Sequence, residues 1–413
     1  MIAADQISYA DLYARWEQGN WRATEIDLTV DRDQWQNQFT DIERRGALWT
    51  YGMFFHGEDS VADNLSPFID AAPREEQKYF LATQQVDEAR HAVLFARFMR
   101  EVAGAGSDTG SSLAATRPEL TWGFRKVFDR LDRMGDELRR DRSRPKLAQA
   151  IALYHLVIEA SLAQPGQHYI EESLTKRDLL PGFRQGMRNV SLDEQRHIAF
   201  GVKMIADLVR EDPECLPAIE ELLREVLPYT TAVLVPPGWD ERYVTVFGFT
   251  LRDIYSHGAD ALDGRLRAAG LAPEELRIGL PFDLPPEERA DRALTLLRAG
   301  YLGEPNGPVV PDHEATAMLF DGLRRQIDPS VAPGAKIQWD FADAEPWHLR
   351  IDDGATSVGP GTVDDPDLVL RCRFRDWIDL AAGRTPPWRA LLTRKIRPSG
   401  KPRMLVRAPR LFD

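Results

Sequence analysis

Two Glu-x-x-His tetrapeptides, Glu88-Ala89-Arg90-His91 and Glu194-Gln195-Arg196-His197, constrain this chain more than any other feature. Three residues along an α-helix turn it about 60° and raise it about 4.5 Å, so each Glu and His project from one face. Such a pair can share one metal ion or serve two adjacent ions. By themselves the two copies are unremarkable, because Glu and His meet at this spacing by chance in a chain of 413 residues. The context carries the argument. Each pair follows, by 30 to 35 residues, a lone Glu in an apolar stretch: Glu58 in LWTYGMFFHGEDSVADNL and Glu159 in IALYHLVIEASLA. The order Glu, Glu-x-x-His, Glu, Glu-x-x-His on four long helices predicts a bundle with six ligand side chains in its core. Four carboxylates would offset two divalent cations. Without metal, buried carboxylates so close together would repel and take up protons.

Apolar residues at three- and four-residue spacing predict helices over Asp41 to Ile69, Glu75 to Val102, Leu147 to Glu172 and Gly182 to Val209, with further ones near Pro217 to Leu234 and Gly248 to Ala269. Gly104 to Ser112 reads as a loop, and Pro181-Gly182 as a turn. Past Leu271 prolines interrupt the chain, a short helix follows near Arg289 to Arg298, and GYLGEPNGPVVPD reads as a linker. Beyond it the pattern becomes mixed. A helix is expected from His313 to Ile327, and strands over Lys336 to Phe341, Trp347 to Ile351 and Leu368 to Arg371. Two short helices are expected at Phe374 to Ala382 and Trp388 to Thr393, and a last strand at Arg403 to Arg407. The reading is a mainly α chain: a helical domain over residues 1–300, a linker over 301–311 and a small α+β domain over 312–413.

Composition excludes several classes. A net charge of −13 argues against a nucleic-acid partner; the local run of Arg139, Arg140, Arg142, Arg144 and Lys146 reads as a solvated turn between helices. No apolar run approaches the roughly 18 to 20 residues that cross a bilayer, so no integral membrane segment is expected. The amino-terminal MIAADQISYADLYARWEQGN does not read as a signal peptide. Cys215 and Cys372 are far apart, which predicts no disulfide framework and a reducing cytoplasm.

The stretches GEDSVADNLSP, FLATQQVDEARHAVLF, ALYHLVIEASLA and GMRNVSLDEQRHIAFG resemble the ferritin-like carboxylate-bridged dimetal proteins, and among them the ligand-binding oxidases related to the ribonucleotide reductase small subunit. The resemblance covers about residues 30 to 270. It implies metal ligation by Glu58, Glu88, His91, Glu159, Glu194 and His197, and O2 as co-substrate. The metals would be Fe/Fe or Mn/Fe, since carboxylate and imidazole suit both, and a fatty acid or similar hydrophobic molecule would lie beside them. In that family a valine three residues after the first Glu is joined by an ether bond to a tyrosine five residues before the third; Val61 and Tyr154 hold those positions here. His56 and His155 lie near ligand positions but are not expected to bind metal.

The carboxy-terminal hundred residues resemble sterol carrier protein type 2-like domains. The likeness rests on the Asp352-Asp353-Gly354 turn, the Asp-Pro-Asp before a strand, the Asp379 to Gly383 helix end, and the Lys395-Ile396 strand running to Gly400. Arg394 stands where the family commonly has glycine, and Pro398 interrupts the strand. The resemblance implies an apolar ligand. Trp339, Trp347, Trp377 and Trp388 suit either a pocket lining or a small core.

The expected function is therefore an O2-activating dimetal oxidase or monooxygenase acting on a hydrophobic, lipid-like or acyl substrate, served by a separate electron donor; whether it is a homodimer is left open. The competing readings are a diiron N-oxygenase or desaturase, and a non-catalytic lipid-binding or metal-storage protein.

Overall fold

The computed structural model describes residues 6–352 and 354–412; the first five residues and Asp353 of the expected turn lie outside them. The chain divides into two compact units, Met1–Leu222 with Val233–Pro273, and Leu223–Ala232 with Glu274–Asp413.

The first unit is helical. Its elements are α1 (Tyr9–Gln18), α2 (Thr29–Asn37), α3 (Asp41–Asn64), α4 (Ser66–Ala71), α5 (Glu75–Phe98), α6 (Thr109–Thr116), α7 (Trp122–Arg140) and α8 (Arg144–Ile151). A π-helical stretch, Ala152–Ala163, continues α8 into α9 (Gln164–Arg177). Then come α10 (Pro181–Glu211), α11 (Cys215–Thr230, whose last turns belong to the second unit), α12 (Arg242–Thr245) and α13 (Leu251–Ala268). Local chemistry sets these boundaries. Thr40 and Glu43 form a reciprocal capping box at the start of α3. At the start of α10, buried Asp31 from α2 accepts from the backbone N–H groups of Gly182 at 2.9 Å and Phe183 at 2.6 Å, and so does the work of an N-cap from outside the helix. Gly182 is needed there, since a Cβ would lie 2.1 Å from the Asp27 carbonyl oxygen. Pro181 thus opens the helix; the turn expected at Pro181-Gly182 lies earlier, at Leu179 and at Leu180 with its φ of 46°. The loop expected over Gly104 to Ser112 ends sooner, where Asp108 caps α6.

α3 packs against α5, and α10 against both α5 and the π-helical stretch. An aromatic cluster pins one end of this bundle, with Phe183 4.4 Å from Phe98 and 4.6 Å from Tyr51 between ring centroids. The continuous helix Arg144–Arg177 is long and apolar enough to cross a membrane, yet 78% of its apolar window is buried inside the protein and it carries Glu159, so it is a core helix. Of the basic run, Lys146 pairs with Glu137 at 2.8 Å and Arg144 with Glu211 at 3.5 Å around the α7–α8 turn.

The second unit holds α14 (Pro286–Arg298) and α15 (His313–Gln326), then β1 (Lys336–Phe341), β2 (Trp347–Asp352), β3 (Ala355–Pro360) and β4 (Leu368–Cys372). After these come α16 (Phe374–Ala381), α17 (Pro387–Leu392), β5 (Ile396–Gly400) and α18 (Pro402–Phe412). The sheet runs in the order β3-β2-β1-β4-β5, with β1 and β4 parallel and the other pairs antiparallel. Pro398 is accommodated because β5 is an edge strand, where a missing N–H breaks no central ladder. Arg394 adopts φ 54°, a left-handed conformation that favours glycine. The strand expected at Arg403 to Arg407 is instead part of α18. Met404, Ala408 and Leu411, spaced four and three apart, pack into the core while Arg403 and Arg407 face out. Trp339, Trp347 and Trp377 are core residues, whereas Trp388 is exposed. Tyr301, within the segment expected as a linker, is fully buried in this core against Phe374. Both cysteines are free and buried, one in each unit.

Candidate dimetal centre

Glu58 stands on α3, Glu88 and His91 on α5, Glu159 in the π-helical stretch, and Glu194 and His197 on α10; all six are buried. They form two groups whose ligand atoms lie within 4.8 Å of one another. One is Glu58, Glu88, His91 and Glu194; the other is Glu88, Glu159, Glu194 and His197. Glu88 and Glu194 belong to both groups, so each carboxylate has one oxygen for either of two neighbouring ions. The donor set of carboxylate oxygens and imidazole nitrogens suits iron or manganese.

The two histidines are held alike. Nδ1 of His91 faces Glu58 at 3.2 Å and Glu88 at 3.5 Å, and Nδ1 of His197 faces Glu88 at 3.1 Å and Glu159 at 3.4 Å. Each Nε2 points the other way, His91 to Asp193 and His197 to Asp87, both at 3.1 Å. A carboxylate on Nε2 fixes that nitrogen as the N–H donor and leaves Nδ1 with its lone pair towards the centre. The aspartates are themselves held. Trp16 Nε1 donates to Asp87 and Trp21 Nε1 to Asp193, each at 2.8 Å, while Arg90 and Arg196 each contact both aspartates. Each aspartate immediately precedes a cluster Glu, in the repeated Asp-Glu-x-Arg-His, so the missed signal was present in Asp87-Glu88 and Asp193-Glu194.

Three buried atoms of the cluster, Glu159 Oε2, Glu194 Oε2 and His197 Nδ1, lack any hydrogen-bond partner; the approach of His197 Nδ1 to Glu88 is short but lacks hydrogen-bond geometry. Orphaned buried polar atoms are costly, and a cation would satisfy all three, His197 giving up its proton as the metal binds. The residues present fit a metal pair.

The charge state agrees. Burial pushes the Glu159 carboxyl up to about 8, helped by the charge of Glu194. Burial, with Glu88 and Glu194 alongside, raises Glu58 well above the usual carboxylate range, and burial with Glu88 raises Glu194. Burial would also raise Glu88, but the imidazoles of His197 and His91 beside it overcome that and hold Glu88 well below that range. Burial would depress both histidines. The charge of Glu58 and the bond to Asp193 raise His91 instead, and the bond to Asp87 raises His197. Protons on histidine and carboxyl thus take the place of the positive charge that metals would bring.

Tyr154 and Glu159, five residues apart, share one face because the hydrogen bonds of a π-helix run from i to i+5. Gln84 Nε2 donates to both, at 2.9 Å each, and Tyr154 OH donates to Glu88 Oε1 at 2.5 Å. Gln84, one turn before Glu88, was not legible as a site residue. His155 Nε2 contacts Gln84 at 3.2 Å and lies outside the ligand groups; burial pushes it down to about 3. His56 turns away, to Leu113 O and Thr116 Oγ1, both at 3.1 Å. Val61 is buried and borders, with Tyr154 and four of the cluster carboxylates, a cavity of about 120 Å³. Elsewhere that cavity is walled by apolar and aromatic side chains such as Phe54, Phe128, Ile158, Leu162 and Phe247.

A helical bundle with two Glu/His groups sharing two carboxylates places the first unit in the ferritin-like dimetal-carboxylate class. More narrowly, the chain belongs to the ribonucleotide reductase small-chain family, whose model matches residues 4–231. Residues 326–413 match the SCP-2 sterol transfer family. Among solved structures the chain is similar to an R2-like ligand-binding oxidase variant with anaerobically reconstituted Mn/Fe cofactor, at 22% identity and TM-score 0.55, over 65% of this chain and 94% of that one. It is also similar to the R2-like ligand-binding oxidase from Sulfolobus acidocaldarius, at 22% identity and TM-score 0.54, over 68% and 93%. A second variant of the oxidase, with aerobically reconstituted Mn/Fe cofactor, matches at 23% identity and TM-score 0.54, over 65% and 94%. At these identities the likeness shows the fold.

Proposed function

We propose that Glu58, Glu88, His91, Glu159, Glu194 and His197 would hold two metal ions, Fe/Fe or Mn/Fe, with Glu88 and Glu194 within reach of both ligand groups. On this reading the chain is an O2-dependent oxidase or monooxygenase acting on a hydrophobic, lipid-like or acyl substrate. The observation that carries it is the convergence of six buried side chains, three with unsatisfied atoms, at one end of an apolar cavity. The Mn/Fe cofactor of the similar oxidases supports the choice of metals.

When bound, the metal pair supplies reduction of O2 and oxidation of an unreactive C–H bond. The chain's own residues do the rest. Asp87 and Asp193 keep the imidazoles oriented, and the apolar wall excludes water and places an aliphatic chain beside the carboxylates. Tyr154 has an acceptor for its proton already in place at Glu88 Oε1. An ether bond between Val61 and Tyr154 belongs to the same reading: a valine C–H and the phenol O–H are lost, a C–O bond forms, and O2 is the oxidant. The SCP-2 match supports an apolar ligand in the second unit. The two free, buried cysteines are in keeping with a reducing cytoplasm, where a separate electron donor would serve the centre.

The test is anaerobic loading with iron, or with manganese and iron, followed by O2. The expected result is two metals per chain, O2 consumption, and loss of two hydrogens localised to a peptide pair containing Val61 and Tyr154. A chain that retains no metal, or that holds metal and consumes no O2, overturns the reading.

A further inference from the structure

Among the described residues eleven large hydrophobic side chains are exposed, and five of them fall between residues 388 and 406. Three stand on α17, where Trp388 is 64% exposed, Leu391 50% and Leu392 75%. Spaced i, i+3 and i+4, they share one face of the helix, while Ala390 on the opposite face is the residue that enters the core. α17 thus turns its large apolar side chains to water and its small one inward. The other two, Leu405 and Val406, stand on α18. Both helices pack on β5, the edge strand that joins them in sequence. Positive charge is concentrated in the same stretch. Residues 384–413 contain nine Lys and Arg and one acidic residue, in a chain of net charge −13. Lys395 and Lys401 are paired, with Asp376 at 3.3 Å and Asp367 at 2.8 Å. Arg389, Arg394, Arg397, Arg403 and Arg407 are exposed and make no ion pair among the described residues.

We propose that α17 and the basic chain around β5 dock on the surface of a bilayer that contains anionic phospholipid, with Trp388, Leu391 and Leu392 entering the layer and the unpaired arginines on its phosphates. Large apolar side chains gathered in water mark an interaction surface. Guanidinium groups pair with phosphate, an indole settles at the level of the headgroups, and leucines reach the acyl boundary beneath, so one layer satisfies every group in the set. The rest of the chain is more acidic still. Anionic headgroups repel it, which leaves the basic stretch as the part that meets the layer. A second copy of the chain would also bring acidic surface. Side chains exposed by half to three-quarters protrude, however, and a rigid partner must offer hollows to match them, whereas a fluid layer needs none. A bilayer is also where a hydrophobic substrate partitions, so docking would bring the chain to its source; the inference itself stands without the metal centre.

The experiment is co-sedimentation of the full chain with vesicles of phosphatidylcholine alone and of phosphatidylcholine mixed with phosphatidylglycerol. The wild-type protein should bind the anionic vesicles about tenfold or more tightly than the neutral ones, and less so as salt is raised. The double exchange Trp388→Ala with Leu392→Ser should weaken that binding about tenfold or more, and so should Arg394→Gln with Arg397→Gln. All four positions are exposed, so circular dichroism and the melting temperature should not change. Arg139→Gln with Arg142→Gln, which removes the same charge from the α7–α8 region, should leave binding as it is. No binding, equal binding to the two vesicles, or binding that the variants at residues 388–397 do not weaken overturns the inference. An equal loss in the Arg139 and Arg142 variant overturns it too, since net charge alone would then be what the vesicles sense. Self-association that the variants at residues 388–397 abolish, without vesicle binding, assigns the surface to a second copy of the chain and overturns the bilayer.

Discussion

Asp87 and Asp193 show how far the centre depends on residues that would touch no metal. Each holds one imidazole through Nε2 and is itself held by a tryptophan and two arginines. Exchange for asparagine keeps the shape but removes the charge that makes Nδ1 a strong donor. Asp87→Asn and Asp193→Asn should each weaken metal binding about 10–100-fold, read by competition with a chelator; unchanged affinity in both would show that they only pack. The protonation states make a second prediction for the metal-free protein. Glu159 is protonated in the fold up to about 8 but only to about 4.3 when unfolded. A raised carboxyl contributes stability that is complete below the unfolded value and is lost as pH rises through the folded one. His91 and His197, also raised, act in the same direction. Glu88, held low, contributes above the ordinary carboxylate range and loses its share only as pH falls through its folded value. The melting temperature of the metal-free chain should therefore fall between about pH 5 and pH 8. The metal-loaded chain should show a flatter profile and should release protons on loading, measurable with an indicator dye. A flat profile for the metal-free chain would contradict the assigned charge states.

At the scale of elements, the π-helical stretch sets the site, and its packing is tight. A Cβ on Gly201 of α10 would lie 2.2 Å from the His155 Cβ, so α10 approaches the stretch closely only because that position is glycine. Gly201→Ala should cost about 1–3 kcal/mol, the usual penalty for overpacking a filled core, seen as a lower denaturation midpoint. The helices bearing Glu58, Glu88, Glu159 and Glu194 were legible because a lone carboxylate on an apolar helix needs a partner and each recurred at a matching interval. The π character was not legible, since hydrophobic spacing over twelve almost wholly apolar residues cannot separate a ladder of i+5 from one of i+4. β3 was missed because it forms the outer edge of the sheet, and ATSVGP buries too little to show an alternation. α18 was mistaken for a strand because Met404, Leu405 and Val406 form a short apolar run, the kind that periodicity cannot assign alone. Trp16 and Trp21 were invisible as site residues: they precede the bundle helices in sequence and reach the histidines only through aspartates that the fold brings to them.

The whole molecule joins an oxidase-type bundle to a carrier-type domain, and the second unit recruits chain that sequence composition marks as connection. Tyr301 sits in GYLGEPNGPVVPD, where proline and glycine argue for a solvated linker. Its ring is nevertheless fully buried against Phe374 at 5.4 Å, and its hydroxyl accepts from the Asp312 backbone N–H at 2.7 Å and donates to the Val310 carbonyl at 3.0 Å. One side chain thus fixes both the start of α15 and the edge of the core beneath the sheet. Removing the ring leaves a large void and two backbone groups without a partner, at a cost of about 3–5 kcal/mol by analogy with other buried aromatic truncations. Tyr301→Ala in the full chain should therefore accelerate hydrogen exchange throughout β1, β4 and α16, because these elements share the core that Tyr301 fills. α3, α5 and α10, which form the core of the other unit, should keep their protection. Tyr301→Phe separates the two contributions: it retains the ring and should loosen only the backbone around Asp312. If exchange in β1 and β4 is unchanged in Tyr301→Ala, the segment is a tether whose tyrosine merely rests on the domain, and the carrier-type core is complete without it.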